Sequence, residues 1–114
     1  MLYEVEMYQG NNDNDNVNKY LDNLNQLDED LWKRVTEYLR MIKDSQNHTG
    51  KYWEYIKGGI IEIKHRSGNI RSRIYGCFNG KQKIMLLNGS IKTGKKQQQK
   101  DIKRARVLKI ELNQ

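Results

Sequence analysis

Basic side chains recur at alternate positions in the second half of the chain, where they could bind a polyanion. The stretch "IRSRIYGCF" (70–78) places Arg71, Arg73 and Tyr75 on one face if it forms a strand. Lys64 projects from the strand expected just before it. Arginine can donate two parallel hydrogen bonds to a phosphate and lysine supplies a point charge, so the pattern indicates a phosphate-binding surface. The alternative is a set of solvated charges without a ligand.

A second pattern, in "LLNGSIKTGKK" (86–96), has the spacing of a nucleotide-binding P-loop. Gly89, Gly94 and Lys95 fit G-x-x-x-x-G-K after an apolar run. The next residue is Lys96, however, where the motif needs a hydroxyl ligand for magnesium. Only one helix is expected after this stretch, so no βαβ unit can form. We therefore interpret it as the end of a strand followed by a basic loop.

Metal and thiol chemistry find little support in the sequence. His48, His65 and Cys77 share no ligand spacing, so no metal site is predicted. The single cysteine excludes an internal disulfide and favours a reducing compartment. His65 shares a strand face with two isoleucines, so we interpret it as a half-buried packing residue rather than a catalytic base.

The charge of the chain is unevenly distributed. The 114 residues carry a net charge of +7. Residues 1–50 hold 5 Lys and Arg against 10 Asp and Glu, whereas residues 51–114 hold 16 against 4. Surfaces that serve only solubility intersperse the two signs, so this separation predicts an anionic partner for the basic part, most commonly nucleic acid.

The hydrophobic pattern predicts one α+β domain over residues 1–114. We expect a strand at 2–8, an αα-hairpin with Asp28 as the N-cap of its second helix, strands at 58–66, 70–78 and 83–88 forming an antiparallel sheet, and a helix from about Gln98 to the end. The polar stretches "GNNDNDN" (10–16) and "KDSQNHTG" (43–50) are the expected connections.

Neither a membrane segment nor a signal peptide is expected. No apolar run approaches the roughly 20 residues that span a bilayer. The first ten residues, "MLYEVEMYQG", carry acids instead of the basic start of a signal peptide. We therefore expect a soluble cytoplasmic protein with no membrane partner.

Most of the chain resembles the RelE/ParE superfamily of toxins from type II toxin–antitoxin systems: the motifs lie in residues 53–105, and the expected N-terminal strand and helical hairpin are where that superfamily has them. The likeness is greatest to the HigB-like, phage-associated branch. Glu62-Ile63-Lys64 matches that branch's first strand motif, and Ser72-Arg73-Ile74-Tyr75 matches most of its second. The stretch 86–93, "LLNGSIKT", matches its leucine- and lysine-containing third motif in part, and the closing helix matches through Ile102 and Ala105.

This resemblance implies a RelE-like fold and a ribosome-dependent endoribonuclease, or mRNA interferase. In such proteins the ribose 2′-oxygen attacks the adjacent phosphate without a metal ion or other cofactor. The partners implied are messenger RNA on the ribosome and a cognate antitoxin, often a helix-turn-helix protein. The residues carried over as catalytic are Arg73, Lys64, Lys92 and Lys96. Those expected to bind RNA are Arg71, Tyr75, Lys95, Arg66 and Lys57.

The chain departs from the branch at positions that bear on proton transfer. Asn88, Ser90 and Thr93 stand where the branch has histidine, an aromatic residue and a second lysine, and Ile102 lies near the place of a tyrosine. The general base and acid therefore stay unassigned. Two other functions remain open: a non-catalytic phage or mobile-element protein that binds nucleic acid or an antitoxin, and a ParE-like gyrase inhibitor.

Overall fold

One mixed β-sheet carries helices on both of its faces. The computed structural model describes residues 3–9, 16–44 and 53–113. In chain order the elements are β1 (Glu4–Met7), α1 (Val17–Leu27), α2 (Glu29–Asp44), β2 (Glu54–Ile56), β3 (Ile60–Ser67), β4 (Ile70–Phe78), β5 (Lys83–Ile91) and α3 (Lys95–Leu112). The predicted α+β class is confirmed.

The sheet differs from the expected one in two respects. Its strand order is β1-β5-β4-β3-β2, so four strands follow the helical hairpin where three were expected. β1 also pairs parallel to β5, which makes the sheet mixed instead of antiparallel. The sequence hides β2 because its three residues are exposed or half-buried and show no alternation. The parallel pairing joins the first and last strands of the chain, and the elements from α1 to β4 supply the long connection that parallel neighbours require.

Element boundaries match best where turns are marked by glycine. The bounds predicted for β4 are those observed. β5 instead continues to Ile91, and α3 begins at Lys95, three residues before the expected start. The early start is stabilised by the Gln97 side chain, whose Oε1 accepts a hydrogen bond from the Thr93 backbone N–H at 3.0 Å.

Both helices of the hairpin begin at a side-chain cap. The Asn16 side chain accepts hydrogen bonds from the backbone N–H groups of the second and third residues of α1. Asp28 caps α2 as predicted, because its Oδ1 accepts from the Leu31 N–H at 3.0 Å. Apart from Asn16, Lys43 and Asp44, the predicted connections and His48 lie outside the described residues.

The core has two layers, one on each face of the sheet. α1 and α2 pack on the face that carries Ile61, Ile63 and Ile74. α3 packs on the opposite face against an apolar set that includes Ile60, Tyr75, Cys77, Met85 and Leu87. The predicted alternation along β3 and β4 is confirmed. The predicted inward residues of α3 are buried at Ala105 and Leu108 and partly buried at Ile102 and Leu112.

Two findings concern membrane-spanning helices and metal sites. Within residues 3–9, 16–44 and 53–113, none of the helices combines the length and apolar character needed to cross a membrane. Those ranges also contain no group of three or more His, Cys, Asp and Glu side chains placed to hold a metal ion. Cys77 is buried under α3, and burial raises the pKa of its thiol.

Gly89, the first glycine of the P-loop-like pattern, lies inside β5 and not in a loop. The ring of Tyr20 in α1 lies directly over it, and a Cβ added at Gly89 would come within 2.6 Å of Tyr20 Cδ2. The Tyr20 hydroxyl also lies 2.6 Å from Ser72 Oγ on β4. Burial raises the pKa of this tyrosine to about 12. The glycine therefore serves the packing of α1 on the sheet.

Replacing Gly89 with alanine should destabilise the fold by about 1–3 kcal/mol, because Tyr20 would have to move. Gly94→Ala is the matched control, since among the described residues no atom lies within 4 Å of its would-be Cβ and its φ of 170° is extended. Urea unfolding should show a clear loss for Gly89→Ala and a smaller one, below about 1 kcal/mol, for Gly94→Ala, where alanine is a somewhat poorer N-cap than glycine. Equal effects would contradict the packing role.

His65 is the half-buried packing residue that its strand face predicts. Its ring centroid lies 4.4 Å from that of Tyr38 in α2, with the rings nearly perpendicular. Burial, followed by the nearby charge of Arg34, lowers the pKa of His65 below its usual value of 6.5. The folded state therefore favours the neutral ring.

This pKa shift predicts a stability contribution that is complete above about pH 6.5 and declines as the pH falls below it, because the unfolded chain binds the proton more readily. Thermal unfolding of the wild type and His65→Gln between about pH 5.5 and 7.5 should show a smaller loss on acidification in the variant. Parallel curves would mean that His65 does not contribute to the pH dependence.

Candidate functional site

Most of the predicted site residues lie along strands β3, β4 and β5, on the face that α3 partly covers. Directly opposite residues of antiparallel strands point to the same face, so the side chains form rows across the strands. The outer row is Arg66, Arg71 and Lys92; the middle row is Lys64, Arg73 and Ser90; the inner row is Glu62, Tyr75 and Asn88. Successive rows are two residues apart along each strand, which is about 7 Å.

A β-bulge keeps β5 in step with these rows. Tyr75 lies opposite Asn88, whereas the next residue, Gly76, lies opposite Leu86, so Leu87 is the extra residue. Leu87 packs in the apolar layer under α3, and Asn88 also faces α3. The bulge thus separates the apolar part of this face from its polar part.

Like charges lie directly opposite each other in the outer and middle rows, an arrangement that costs free energy unless it is compensated. The middle row is compensated by carboxylates. Arg73 Nη1 lies 3.0 Å from Glu62 Oε1, and Lys64 Nζ lies 2.9 Å from Glu54 Oε1. The first pair is largely buried, with side-chain exposures of 13% and 4%, whereas the second is exposed.

The outer row has no such compensation. Arg66 Nε donates a hydrogen bond to the carbonyl oxygen of Gly68 at 2.8 Å, and Arg71 is exposed. In the described part of the chain, no carboxylate pairs with either arginine. Both line a pocket of about 270 Å³, whose remaining walls are Lys64, His65 and Arg73.

Lys92 belongs to the same cluster of cations. Its backbone N–H donates to the Arg71 carbonyl oxygen at 2.8 Å, which continues the β4–β5 ladder by one residue. Desolvation, followed by the neighbouring charges of Arg73 and Arg71, lowers the pKa of the Lys92 ammonium group. A lowered pKa makes this group a better proton donor near neutral pH than an ordinary lysine.

Glu62 is the acidic side chain at the centre of the site. Its second carboxylate oxygen accepts a hydrogen bond from Gln98 Nε2 in α3 at 3.0 Å. Arg73 and Gln98 therefore hold both oxygens, and α3 is fastened to the sheet through them. Sequence reasoning gave Glu62 no role in the site, although its alternation with Lys64 already placed it on this face.

Three polar atoms near Glu62 are buried without a hydrogen-bond partner among the described residues: Arg73 Nε, Tyr75 Oη and Asn88 Oδ1. Tyr75 is completely buried, so contact between its side chain and an RNA ligand would require α3 to move. Burial, with a further effect from the charge of Glu62, raises the pKa of Tyr75 above its usual range. Its hydroxyl is therefore protonated at neutral pH.

Asn88 and Ser90 attach the first turns of α3 to β5. Asn88 Nδ2 donates to the Asp101 carbonyl oxygen at 3.0 Å, and Ser90 Oγ lies 2.6 Å from Asp101 Oδ2. Gln97 Nε2 donates to Ser90 Oγ at 2.9 Å and to Asp101 Oδ2. Two positions where the chain departs from the HigB-like pattern thus have a structural role here.

The remaining predicted residues lie in two places. Lys95 and Lys96 open α3 and are exposed, with Gly94 as an N-cap that makes no side-chain hydrogen bond. Lysine is unfavourable at this positive end of the helix dipole, and an anion there would relieve the repulsion. Lys57 lies in the β2–β3 turn, at the far end of β3 from the outer row and about 20 Å along the strand.

The Lys57 turn is held by α3. The Lys57 carbonyl oxygen accepts hydrogen bonds from Arg106 Nε at 3.1 Å and Nη2 at 2.6 Å, and the next carbonyl accepts from Lys109. Gly58 and Gly59 form this turn with φ values of +92° and +79°. Arg106 and Lys109 are therefore engaged in fastening α3.

A match to a known protein family covers most of the chain. A protein-family model described as "Phage derived protein Gp49-like (DUF891)" matches residues 22–109, from α1 to α3. Neither a curated protein nor a solved structure gives a significant match.

The Arg73–Glu62 pair predicts an order of stabilities. Arg73→Gln leaves a nearly inaccessible carboxylate without its cation and should cost about 3–5 kcal/mol. Glu62→Gln leaves a more accessible guanidinium and should cost less, about 1–3 kcal/mol. Chemical denaturation should show that the double variant loses less free energy of unfolding than the two single variants lose together, because the two groups form one interaction. Lys64→Gln, at the exposed pair, should cost below about 1 kcal/mol. Additive losses would contradict the coupling.

Proposed function

The chain belongs to the Gp49-like family of phage-derived proteins, and on that premise we propose that it is a RelE/HigB-like toxin that cleaves messenger RNA on the ribosome. The observation that carries this proposal is the alignment of cations from three strands on one sheet face. A nucleic-acid backbone is the polyanion that such an array fits best.

The proposed reaction needs no metal ion. The 2′-oxygen of a ribose attacks the adjacent phosphorus, the bond from phosphorus to the 5′-oxygen breaks, and a 2′,3′-cyclic phosphate and a 5′-hydroxyl are formed. Arg73 and Lys64 would bind the non-bridging oxygens, where negative charge grows in the transition state. The pairing of β3 with β4 fixes the backbone positions of both residues before the RNA arrives.

Two protons must move in this reaction. The Glu62 carboxylate would accept the proton of the 2′-hydroxyl after the phosphate takes over part of its pairing with Arg73 and the start of α3 moves aside, because its side chain is only 4% exposed and Gln98 holds its second oxygen. Lys92 is suited to donate a proton to the leaving 5′-oxygen because its pKa is lowered. Lys95 and Lys96 would contact the RNA chain at the start of α3.

We further propose a cognate antitoxin as the second partner. Its helix-turn-helix character is inferred from the HigB-like resemblance. The cations of the outer row would attract carboxylates of an antitoxin as well as phosphates of RNA, so an acidic segment could block the site.

A second function, binding without cleavage, is favoured by one observation. Asn88 and Ser90, which replace histidine and an aromatic residue of the branch, are engaged in hydrogen bonds to α3. If Glu62 and Lys92 do not replace the missing groups, the same surface would bind RNA or an antitoxin and leave the RNA intact.

Induction of the protein in cells, followed by mapping of messenger RNA 5′ ends, separates these two functions. We expect new 5′ ends and growth arrest with the wild type, and a loss of both with Arg73→Ala. Glu62→Gln should also abolish cleavage if Glu62 is the proton acceptor. Lys81→Gln, which removes an exposed charge at the opposite end of β4, should behave as the wild type.

Protein levels and thermal unfolding must accompany this experiment because Arg73 also stabilises the fold. Arg73→Lys retains a cation beside Glu62 and should fold better than Arg73→Ala. Unchanged growth and transcripts with the wild type would contradict the toxin function. DNA damage without RNA cleavage would support a gyrase inhibitor instead.

A further inference from the structure

We propose that the outer row binds a second phosphate of the same single strand, one nucleotide away from the phosphate that reacts at the middle row. The inference rests on the proposed function, in that it takes RNA as the ligand. It adds the size of the recognised unit, which is two consecutive phosphates.

The first argument is the charge of the outer row. Its members lie on three adjacent strands, and Arg66 is directly opposite Arg71. Like charges at directly opposite positions destabilise a sheet. The middle row has Glu62 and Glu54 beside its cations, but within the described ranges the outer row has no carboxylate. A phosphate there would remove a repulsion that the fold itself leaves in place.

The second argument is spacing. The middle and outer rows are about 7 Å apart because they are separated by two residues along each strand. Consecutive phosphates of an extended nucleic-acid strand have a comparable separation. The ladder fixes this distance, so both phosphates would meet preformed sites.

The third argument is direction. On its inner side, the middle row is followed by the buried inner row, where Glu62 and Tyr75 lie under α3. A second phosphate therefore has no cationic position on that side. On the outer side, the surface is open up to the β3–β4 turn, and a pocket of about 270 Å³ lies between Arg66, Arg71 and the middle row. The strand must leave the reacting position toward the outer row.

The test compares two ligands that cannot be cleaved, a 2′-O-methyl dinucleotide with one phosphate and the corresponding trinucleotide with two. NMR titration of the full chain gives both dissociation constants. We expect the trinucleotide to bind roughly tenfold more tightly, since the outer row adds charge-assisted hydrogen bonds. The readout is the ratio of the two constants, because a single phosphate can occupy either row.

Arg71→Gln and Arg66→Gln should reduce this ratio toward one, whereas Lys81→Gln should leave it unchanged. Arg71 is exposed and lies outside the buried ion pair, so its variant should fold, and the NMR spectrum checks this directly. The salt dependence of trinucleotide binding should also weaken in Arg71→Gln, by the equivalent of about one phosphate.

Equal affinities for the two ligands in the wild type, or a ratio that persists in both arginine variants, would overturn the inference. No binding of either ligand would overturn it as well. The outcome is independent of cleavage. A normal ratio in a protein that leaves messenger RNA intact would refute the proposed reaction and keep the two-phosphate site. RNA cleavage in cells with a ratio near one would do the reverse.

Discussion

The ion pair between Arg73 and Glu62 joins the chemistry of this protein to its architecture. It lies where the face of the sheet changes from apolar to charged, and Gln98 extends it to α3. A buried carboxylate is tolerated only with a cation and hydrogen bonds around it, so Arg73 and Gln98 are needed for Glu62 to be there at all. The residue best placed to bind a phosphate is thus also one that holds the last helix.

Local patterns predicted the long strands and the antiparallel pairing of β3, β4 and β5 well, but not the pairing of the two outer strands. The alternation in 70–78 predicted the bounds of β4 and the face on which each side chain lies, and the bounds are sharp because turn residues flank the strand on either side. The pairing of β1 with β5 and the short edge strand β2 depend on contacts between distant residues, which leave little periodicity in the sequence. The packing role of Gly89 was missed for the same reason, since the Tyr20 ring that requires a glycine there belongs to α1, which is distant in sequence.

The cationic part of the site was more predictable than its acidic part. Arg71, Arg73 and Lys64 follow from strand alternation, and the structure brings them together with Lys92. Glu62, which pairs with Arg73, and Gln98, which donates a hydrogen bond to Glu62, are separated by 36 residues and meet only because α3 packs across the sheet. Lys57 shows that nearness in sequence can mislead. It is a basic residue close to β3 in the sequence, but it lies at the end of β3 that is far from the other cations.

The bulge at Leu87 gives β5 two different phases. Up to Leu86, the even-numbered side chains of β5 face α1 and α2 and form part of the core. From Asn88 onward, the even-numbered side chains face α3 and belong to the polar rows. Regular pairing of all these residues without the bulge would leave the hydrophobic pattern of 84–86 intact while turning Ser90 and Lys92 to the face of α1, whereas loss of Leu87 would remove the bulge and keep both side chains on the face of α3. A relative that lacks one residue at this point would therefore keep its ligand surface, and the gap in an alignment would mark the loss of the bulge and not of the site.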